Sequence, residues 1–287
     1  MLSNEALAKK AISVRRSIVT SVFLASSGHP GGALSCCEIL TYLFDHIVDA
    51  GNYEPHKYRF VLSKGHSCPA LYGMFLCSGW VAHEEIVNFR KIGGSMQGHP
   101  SVVTTPWVET STGSLGQGFS AAIGMALGHI YKNELTRIFV MLGDGELQEG
   151  EIWEGAMCAA HYKLDNLCAI VDYNKMQSDD LNENIMGLEP LRAKWEAFNW
   201  HVIEIDGHDF DQIESAFEQA NETKGKPTVI IAHTIKGKGV SFMEGQPAWH
   251  GSVTLRPEEL EQALRDLGTP EEDIPAYLNG SIWSRQA

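Results

Sequence analysis

The stretch RIFVMLGDGELQEGEIWEGAMCAAHYKLDNLCAIVDYNKMQ, residues 137–177, decides the fold. RIFVMLG (137–143) is a near-continuous apolar run, the pattern of a strand buried on both faces. Residues 148–163 read as a helix, and LCAIVDY (167–173) as a second buried strand. Strand, helix and strand in that order make one βαβ unit with parallel strands. Asp144 follows the first strand at once, flanked by Gly143 and Gly145, and Asn174 follows the second. One crossover separates them, so the carboxylate and the amide oxygen fall side by side at adjacent strand ends. Two hard oxygens of that kind, with a backbone carbonyl from the following turn, supply half of an octahedral Mg²⁺ site. Diphosphate oxygens and water would fill the other half. The glycines let the backbone approach a diphosphate, and the helix that follows offers N–H donors. A Gly-Asp-Gly turn alone marks only a strand end; its spacing to Asn174 makes it specific.

Outward from this unit the alternation continues. Residues 189–199 read as helix, HVIEID (201–206) as strand, 209–223 as helix and PTVIIAHT (227–234) as strand. Upstream, RFVLSKGH (59–66) is a short strand entering a Gly-His turn, and PALYGMFLCSG (69–79) reads as helix. Leu7, Ala11, Val14, Ile18 and Val22 recur at helical spacing within residues 4–25. That helix stops at the Gly/Pro-rich 26–32, and a second apolar helix covers about 35–47. The expected fold is α/β: a doubly wound, mainly parallel sheet with helices on both faces. No linker divides the 287 residues, which read as a single domain (1–287) with 256–287 as a C-terminal tail packed on it. In such sheets ligands bind beyond the carboxyl ends of the strands, where the sharpest motifs lie.

Composition narrows the function. With 22 Lys plus Arg against 36 Asp plus Glu, the formal net charge is −14. Such a surface repels phosphate backbones and anionic lipid, so no nucleic acid and no membrane are expected as partners. Apolar runs are too short for a spanning helix, and the N-terminus has no secretory pattern. Six cysteines, at 36, 37, 68, 77, 158 and 168, lack zinc-type spacing and read as small buried hydrophobes in a reducing cytosol. A cytoplasmic protein is expected. Of 12 histidines, His29, His66, His99 and His250 sit in Gly- or Pro-flanked turns. Imidazole there can pass protons near neutral pH or bind phosphate and sugar hydroxyls. His46, His56, His83, His129, His161, His201, His208 and His233 lack that setting and read as structural or solvated. The Gly-rich loop 233–251 carries Lys236 and Lys238 and suits closure over a ligand; neither lysine is assigned a contact.

The Gly-Asp-Gly to Asn pattern resembles the signature of thiamine diphosphate enzymes, and its surroundings resemble the transketolase family. The likeness runs from about residue 8 to 255, through GHPGGALS (28–35), SKGHSCPALY (63–72), GHPS (98–101), TGSLGQGFSAAIGMALG (112–128) and AWHGSV (248–253). It implies thiamine diphosphate and Mg²⁺ as cofactors, with Ca²⁺ or Mn²⁺ able to substitute. The metal ligands implied are Asp144, Asn174 and the main-chain oxygen of Met176. Gly143 and Gly145 would lie by the diphosphate, His66 and His250 at the cofactor phosphate and active site, and Gly113-Ser114-Leu115 at the aminopyrimidine. His29 and His99 would meet the sugar, with His29 and His250 moving protons. Glu149 would be a buried glutamate joining two active sites of a dimer. Ser114 stands where many transketolases carry Pro, and Met176 where Ile is frequent. The first implies a slightly less rigid loop, and the second leaves a carbonyl ligand intact.

The resemblance also implies what this chain does not carry. Full-length transketolases are more than twice as long. Their second domain supplies the glutamate that protonates the aminopyrimidine, the aromatic side chains stacked on it, and arginines for sugar phosphate. The expectation is therefore the N-terminal subunit of a split transketolase. It would be active only with a separate C-terminal subunit, in an α2β2 assembly, moving a two-carbon ketol unit between sugars or sugar phosphates. The donor and acceptor sugars stay open. Alternatives are the α subunit of a 2-oxoacid dehydrogenase, a Mg²⁺-dependent phosphohydrolase and a non-catalytic cofactor-binding subunit.

Overall fold

In a computed structural model, residues 2–48, 57–105 and 107–282 are described. The chain opens with α1 (Asn4–Ala25), capped by Ser3, whose hydroxyl accepts from the Ala6 N–H at 3.4 Å. It ends at Ser26, in the left-handed region at φ 52°. Its expected stripe of Leu7, Ala11, Val14, Ile18 and Val22 is wholly buried. Each of the larger four contributes about 1.5–3 kcal/mol by leaving water. The next helix starts earlier than expected. It begins as α2 (Pro30–Ser35), breaks at Cys36 and resumes as α3 (Cys37–Tyr42), which loosens into a π-turn at Leu43–Ile47. Pro30 at the first helical position has the right φ already set and no N–H to leave unpaired, so a Pro-Gly-Gly run that reads as a breaker starts the helix instead.

Strand β1 (Tyr58–Leu62) leads through a 3₁₀ turn at Gly65–Ser67 into α4 (Cys68–Cys77), followed by α5 (His83–Val87) and α6 (Gln117–Tyr131). Then come β2 (Arg137–Gly143), α7 (Gly150–His161) and β3 (Leu167–Tyr173). A short antiparallel hairpin, β4 (Met176–Gln177) and β5 (Asp180–Leu181), precedes α8 (Asn182–Ile185) and α9 (Leu191–Ala197). The alternation finishes with β6 (His201–Asp206), α10 (Phe210–Glu222) and β7 (Thr228–His233), then α11 (Pro257–Asp266) and α12 (Ile274–Leu278).

All five expected strands are present and parallel, in the order β1-β2-β3-β7-β6. Alternate residues feed opposite cores. Phe139, Met141, Cys168, Ile170 and Ile230 face α1, α10 and α11. Ile138, Val140, Leu142, Val171 and Val229 face Phe119 of α6, Ile152 of α7 and Trp195 of α9. Both faces of the sheet's centre are thus covered, which is why β2, β3 and β7 read as continuous apolar runs, while edge strand β6 leaves Glu204 and Asp206 exposed. Leu260 and Leu264 of α11, with Ile274 and Tyr277 of α12, pack into the first core. Of the six cysteines, four are buried, Cys77 and Cys158 are half-buried, and all are free thiols. Among the described residues, no helix is long and apolar enough to cross a membrane.

One charge pair closes the carboxyl end of the sheet. Lys64, just past β1, reaches Asp172 of β3 at 2.5 Å, with both side chains out of water. Lys64 also donates to the Gly32 carbonyl of α2 at 2.7 Å. Asp172 accepts from Ser35 of α2 at 2.5 Å, from Thr234 beyond β7, and from the Asn174 amide at 3.2 Å. Burial works to neutralise Asp172, but Lys64 and these donors outweigh it and hold the carboxyl below its ordinary range. Removing one partner of such a pair strands the other charge in the interior. Lys64→Met should therefore lower stability by about 3–5 kcal/mol in urea unfolding, and adding Asp172→Asn should recover part of the loss. An unchanged midpoint for Lys64→Met would show that the pair contributes nothing.

Candidate active site

Beyond the sheet's carboxyl ends lies a cavity of about 230 Å³. Gly143 pairs in register with Asp172, so Asp144 and Asn174 leave neighbouring strands at the same edge, and both line the cavity with Met176. Asp144 is buried, and its two oxygens accept backbone N–H groups from Gly145 at 2.8 Å and Lys175 at 2.5 Å. Burial first, and Asp172 second, push its carboxyl up to about 7. Asn174 is oriented from both sides. Its Nδ2 donates to Asp172, and its Oδ1 accepts from the Met176 N–H at 3.1 Å. Both oxygens keep lone pairs for a further partner. Among the described residues no three His, Cys, Asp or Glu side chains gather as metal ligands. The oxygens here are instead one carboxylate, one amide and one carbonyl. That donor set fits a hard divalent cation, and the charge it would bring is the one that buried Asp144 lacks.

The turn after β2 differs from expectation. Helix α7 begins at Gly150 rather than 148, behind a 3₁₀ turn at Gly145–Gln148. Gly145 and Glu146 line the cavity, and no residue of α7 does. The backbone facing the cavity after β2 is therefore that of the turn, not of the helix end. A side chain on Gly145 would collide with Gln177, its Cβ only 2.8 Å away, so the close turn requires glycine. Glu146 is buried and ties three segments together: it accepts from Ser63 at 2.5 Å, Gly116 N–H at 2.9 Å and Gly143 N–H at 3.0 Å. Gly116 holds φ +87° at the start of α6 to make that contact.

Three of the four expected histidines meet. His66 lies 5.4 Å from His29 and 5.3 Å from His250 between ring centroids, and all three line the cavity. His99 is 6.4 Å from His29 but exposed, beside Gly113 and outside the cavity wall. Burial is the first cause of low basicity in all four. Arg90 and then His99 add to it at His29, which falls to about 4; Lys236 and then His29 add to it at His250, which falls to about 3. His66 is held well below its usual value by burial and by His250, and His99 is lowered by burial and Arg90. These imidazoles are neutral at pH 7, able both to donate and to accept. Of the other eight, His56 lies outside the described residues. None of the remaining seven lines the cavity; His208, for example, bonds Glu38 at 3.0 Å and His129 bonds Glu134 at 2.5 Å.

Gly113 and Leu115 line the cavity, whereas Ser114 between them is exposed and does not. Glu149, expected to be buried between two active sites, is exposed in the single chain and forms no part of the wall. Sequence reasoning passed over Lys64, Glu146, Asp172 and Lys236, all of which line the cavity. The aspartate in the apolar run LCAIVDY was the available signal, since a carboxylate inside a buried strand demands a partner. Lys236 sits in the Gly-rich loop expected to close over a ligand, where the sequence assigns it no contact, and it is buried. Lys238, two residues on, pairs instead with Glu244 at 3.7 Å.

Residues 7–278 match the family model described as transketolase, thiamine diphosphate binding domain. The chain is 43% identical over 257 residues to the 6-deoxy-6-sulfo-D-fructose transketolase subunit SqwG of Clostridium sp. (strain MSTE9), covering 88% of this chain and 93% of that one. It is 39% identical over 269 residues to an apulose-4-phosphate transketolase subunit of Phocaeicola vulgatus, covering 93% of this chain and 95% of that one. Among solved structures, transketolase from Campylobacter jejuni superposes with a TM-score of 0.86 at 29% identity. The match takes in 99% of this chain but only 47% of that one. The chain thus spans nearly the whole of two proteins named as subunits and about half of an undivided transketolase. A parallel sheet with this edge of glycines, carboxylates and histidines, matched almost end to end, belongs to the transketolase family and forms its thiamine diphosphate-binding domain.

Proposed function

We propose that the chain, acting as one domain, is the N-terminal subunit of a two-chain transketolase. It would bind thiamine diphosphate through a divalent cation, Mg²⁺ by default, and transfer a two-carbon ketol unit from a ketose to an aldose. The observation that carries this is the meeting of Asp144, Asn174 and Met176 with three neutral histidines in one cavity. Asp144, the Asn174 amide and the Met176 carbonyl would hold the cation. Gly145 and the turn behind it, with His66, would face the diphosphate. Gly113 and Leu115 would lie against the aminopyrimidine, with Ser114 at the rim. Bound there, the cofactor supplies an electron sink for breaking a carbon–carbon bond beside a carbonyl. The protein's share is positioning and proton transfer. His29 and His250 would take a proton from a sugar hydroxyl or return one to an aldehyde oxygen. His99, at the rim, would hold the ketol hydroxyl of the donor.

The cavity also supports a partner. Among the described residues its wall contains no Phe, Tyr or Trp to stack on a pyrimidine ring. The carboxylates that line it among the described residues, on Asp144, Glu146 and Asp172, are each engaged by donors within this chain. A carboxyl group free to act on the pyrimidine would come from a second polypeptide. Two copies of each chain would form an α2β2 assembly, with Glu149 covered at the junction. The relatives named for 6-deoxy-6-sulfo-D-fructose and apulose 4-phosphate favour a specialised sugar with an anionic end. Six free thiols suit work in a reducing cytosol.

Asp144→Ala should weaken Mg²⁺-dependent thiamine diphosphate binding, measured calorimetrically, by more than about 100-fold, beyond what loss of an outer-shell partner costs. Unchanged affinity would refute the cation assignment. The purified chain alone should show almost no ketol transfer over a ketose panel. Mixing it with a separately purified C-terminal transketolase subunit should restore turnover. Appreciable transfer by this chain alone would sink the two-chain proposal.

A further inference from the structure

Lys236 has an unusual place for a lysine. It follows β7 by three residues, its side chain is only 1% exposed, and among the described residues it forms no ion pair. Its backbone is held on both sides: Gly237 N–H donates to the Gly31 carbonyl at 3.0 Å, and Gly245 N–H donates to the Lys236 carbonyl at 2.9 Å. Its stem runs beside Gly31 of α2, where an added Cβ would lie 3.2 Å from Lys236 Cγ and 2.6 Å from the Trp249 carbonyl. The terminal nitrogen so placed has two partners. It lies 3.3 Å from the Met176 carbonyl and 2.7 Å from His250 Nδ1.

We infer that Lys236 is a positioning residue that fixes the tautomer of His250, with its proton on Nε2. The chemistry leaves one arrangement. A lysine ammonium has three donors and no acceptor, so His250 Nδ1 must receive the hydrogen bond and carries no proton. A proton on Nδ1 would set one N–H donor against another at 2.7 Å, with no acceptor between them. The neutral imidazole therefore holds its proton at Nε2, on the ring edge away from Lys236. His250 is thereby a fixed hydrogen-bond donor at that edge. His29 differs: among the described residues its buried Nδ1 has no hydrogen-bond partner, so no such bond selects its tautomer. The two rings are 5.9 Å apart, yet only one is committed to a single role. What this means for sugar chemistry rests on the transketolase proposal above, whereas the tautomer itself does not.

The test is long-range proton–nitrogen correlation NMR on the ¹⁵N-histidine-labelled chain, with the His250 signals assigned by their loss in His250→Gln. Wild type should show an unprotonated Nδ1 and a protonated Nε2. Lys236→Met should abolish that pattern, both nitrogens moving toward the average of exchanging tautomers, and Lys236→Arg should largely restore it. Protonation at Nδ1 in wild type, or an unchanged pattern in Lys236→Met, would overturn the inference. Should Lys236→Met fail to fold, the scalar coupling across the Lys236 Nζ–His250 Nδ1 hydrogen bond in wild type decides, its presence supporting the assignment and its absence overturning it. No cofactor, sugar or partner enters the measurement, so it fails or succeeds independently of the enzyme activity.

Discussion

The ion pair between Lys64 and Asp172 is the constraint on which the cavity depends. It joins the loop after β1 to β3 across the end of β2, the strand between them. Two further donors to Asp172 come from α2 and from beyond β7, so one carboxylate collects segments that are far apart in sequence. A third comes from the Asn174 amide, whose oxygen is thereby turned toward its other partners. The expense of burying a charge is therefore met by a hub that also sets a functional oxygen. This differs from an isolated buried pair, which well-packed hydrophobes often replace without loss.

The same arrangement sets the electrostatics of the site. The whole chain is strongly acidic, yet two buried ammonium groups, on Lys64 and Lys236, face this cavity. Burial first, and the field of these lysines and of the neighbouring rings after it, keeps His66 and His250 neutral. Asp144 experiences the opposite environment. It has backbone donors but no ion-pair partner among the described residues, and it sits near Asp172. A divalent cation followed by a diphosphate would complete this balance: the cation answers the carboxylate, and the anion then answers the cation and the lysines. A local pocket can thus favour a phosphorylated ligand inside a protein whose surface repels one.

Much of this was legible from residue patterns alone. The central strands β2, β3 and β7 announced themselves because covered parallel strands are apolar on both faces, edge strand β6 by an alternating pattern that leaves Glu204 and Asp206 exposed, and the α1 stripe because one helix face is buried. The meeting of Asp144 with Asn174 followed from a single crossover of ordinary length. Other features depend on tertiary contacts that no local pattern carries. Pro30 reads as a breaker until it is seen to begin α2. The Gly-rich loop reads as one that can close over a ligand, but the burial of Lys236 within it depends on backbone bonds to Gly31 and from Gly245. The turn Gly145–Gln148 delays α7, because Glu146 is drawn back under the strand end by Ser63, Gly116 and Gly143. Glu149 and Ser114 show the opposite limit: both are exposed here, so any burial of them belongs to an assembly rather than to this chain's own fold.

The cation site is tested most directly by a crystal structure of the chain grown with Mn²⁺ and thiamine diphosphate, with the metal located by anomalous scattering. The metal peak is expected between the Asp144 carboxylate, the Asn174 amide oxygen and the Met176 carbonyl, with the diphosphate against the Gly145 turn. A metal bound elsewhere, or a diphosphate lying away from the carboxyl ends of β2 and β3, would contradict that placement and the function built on it.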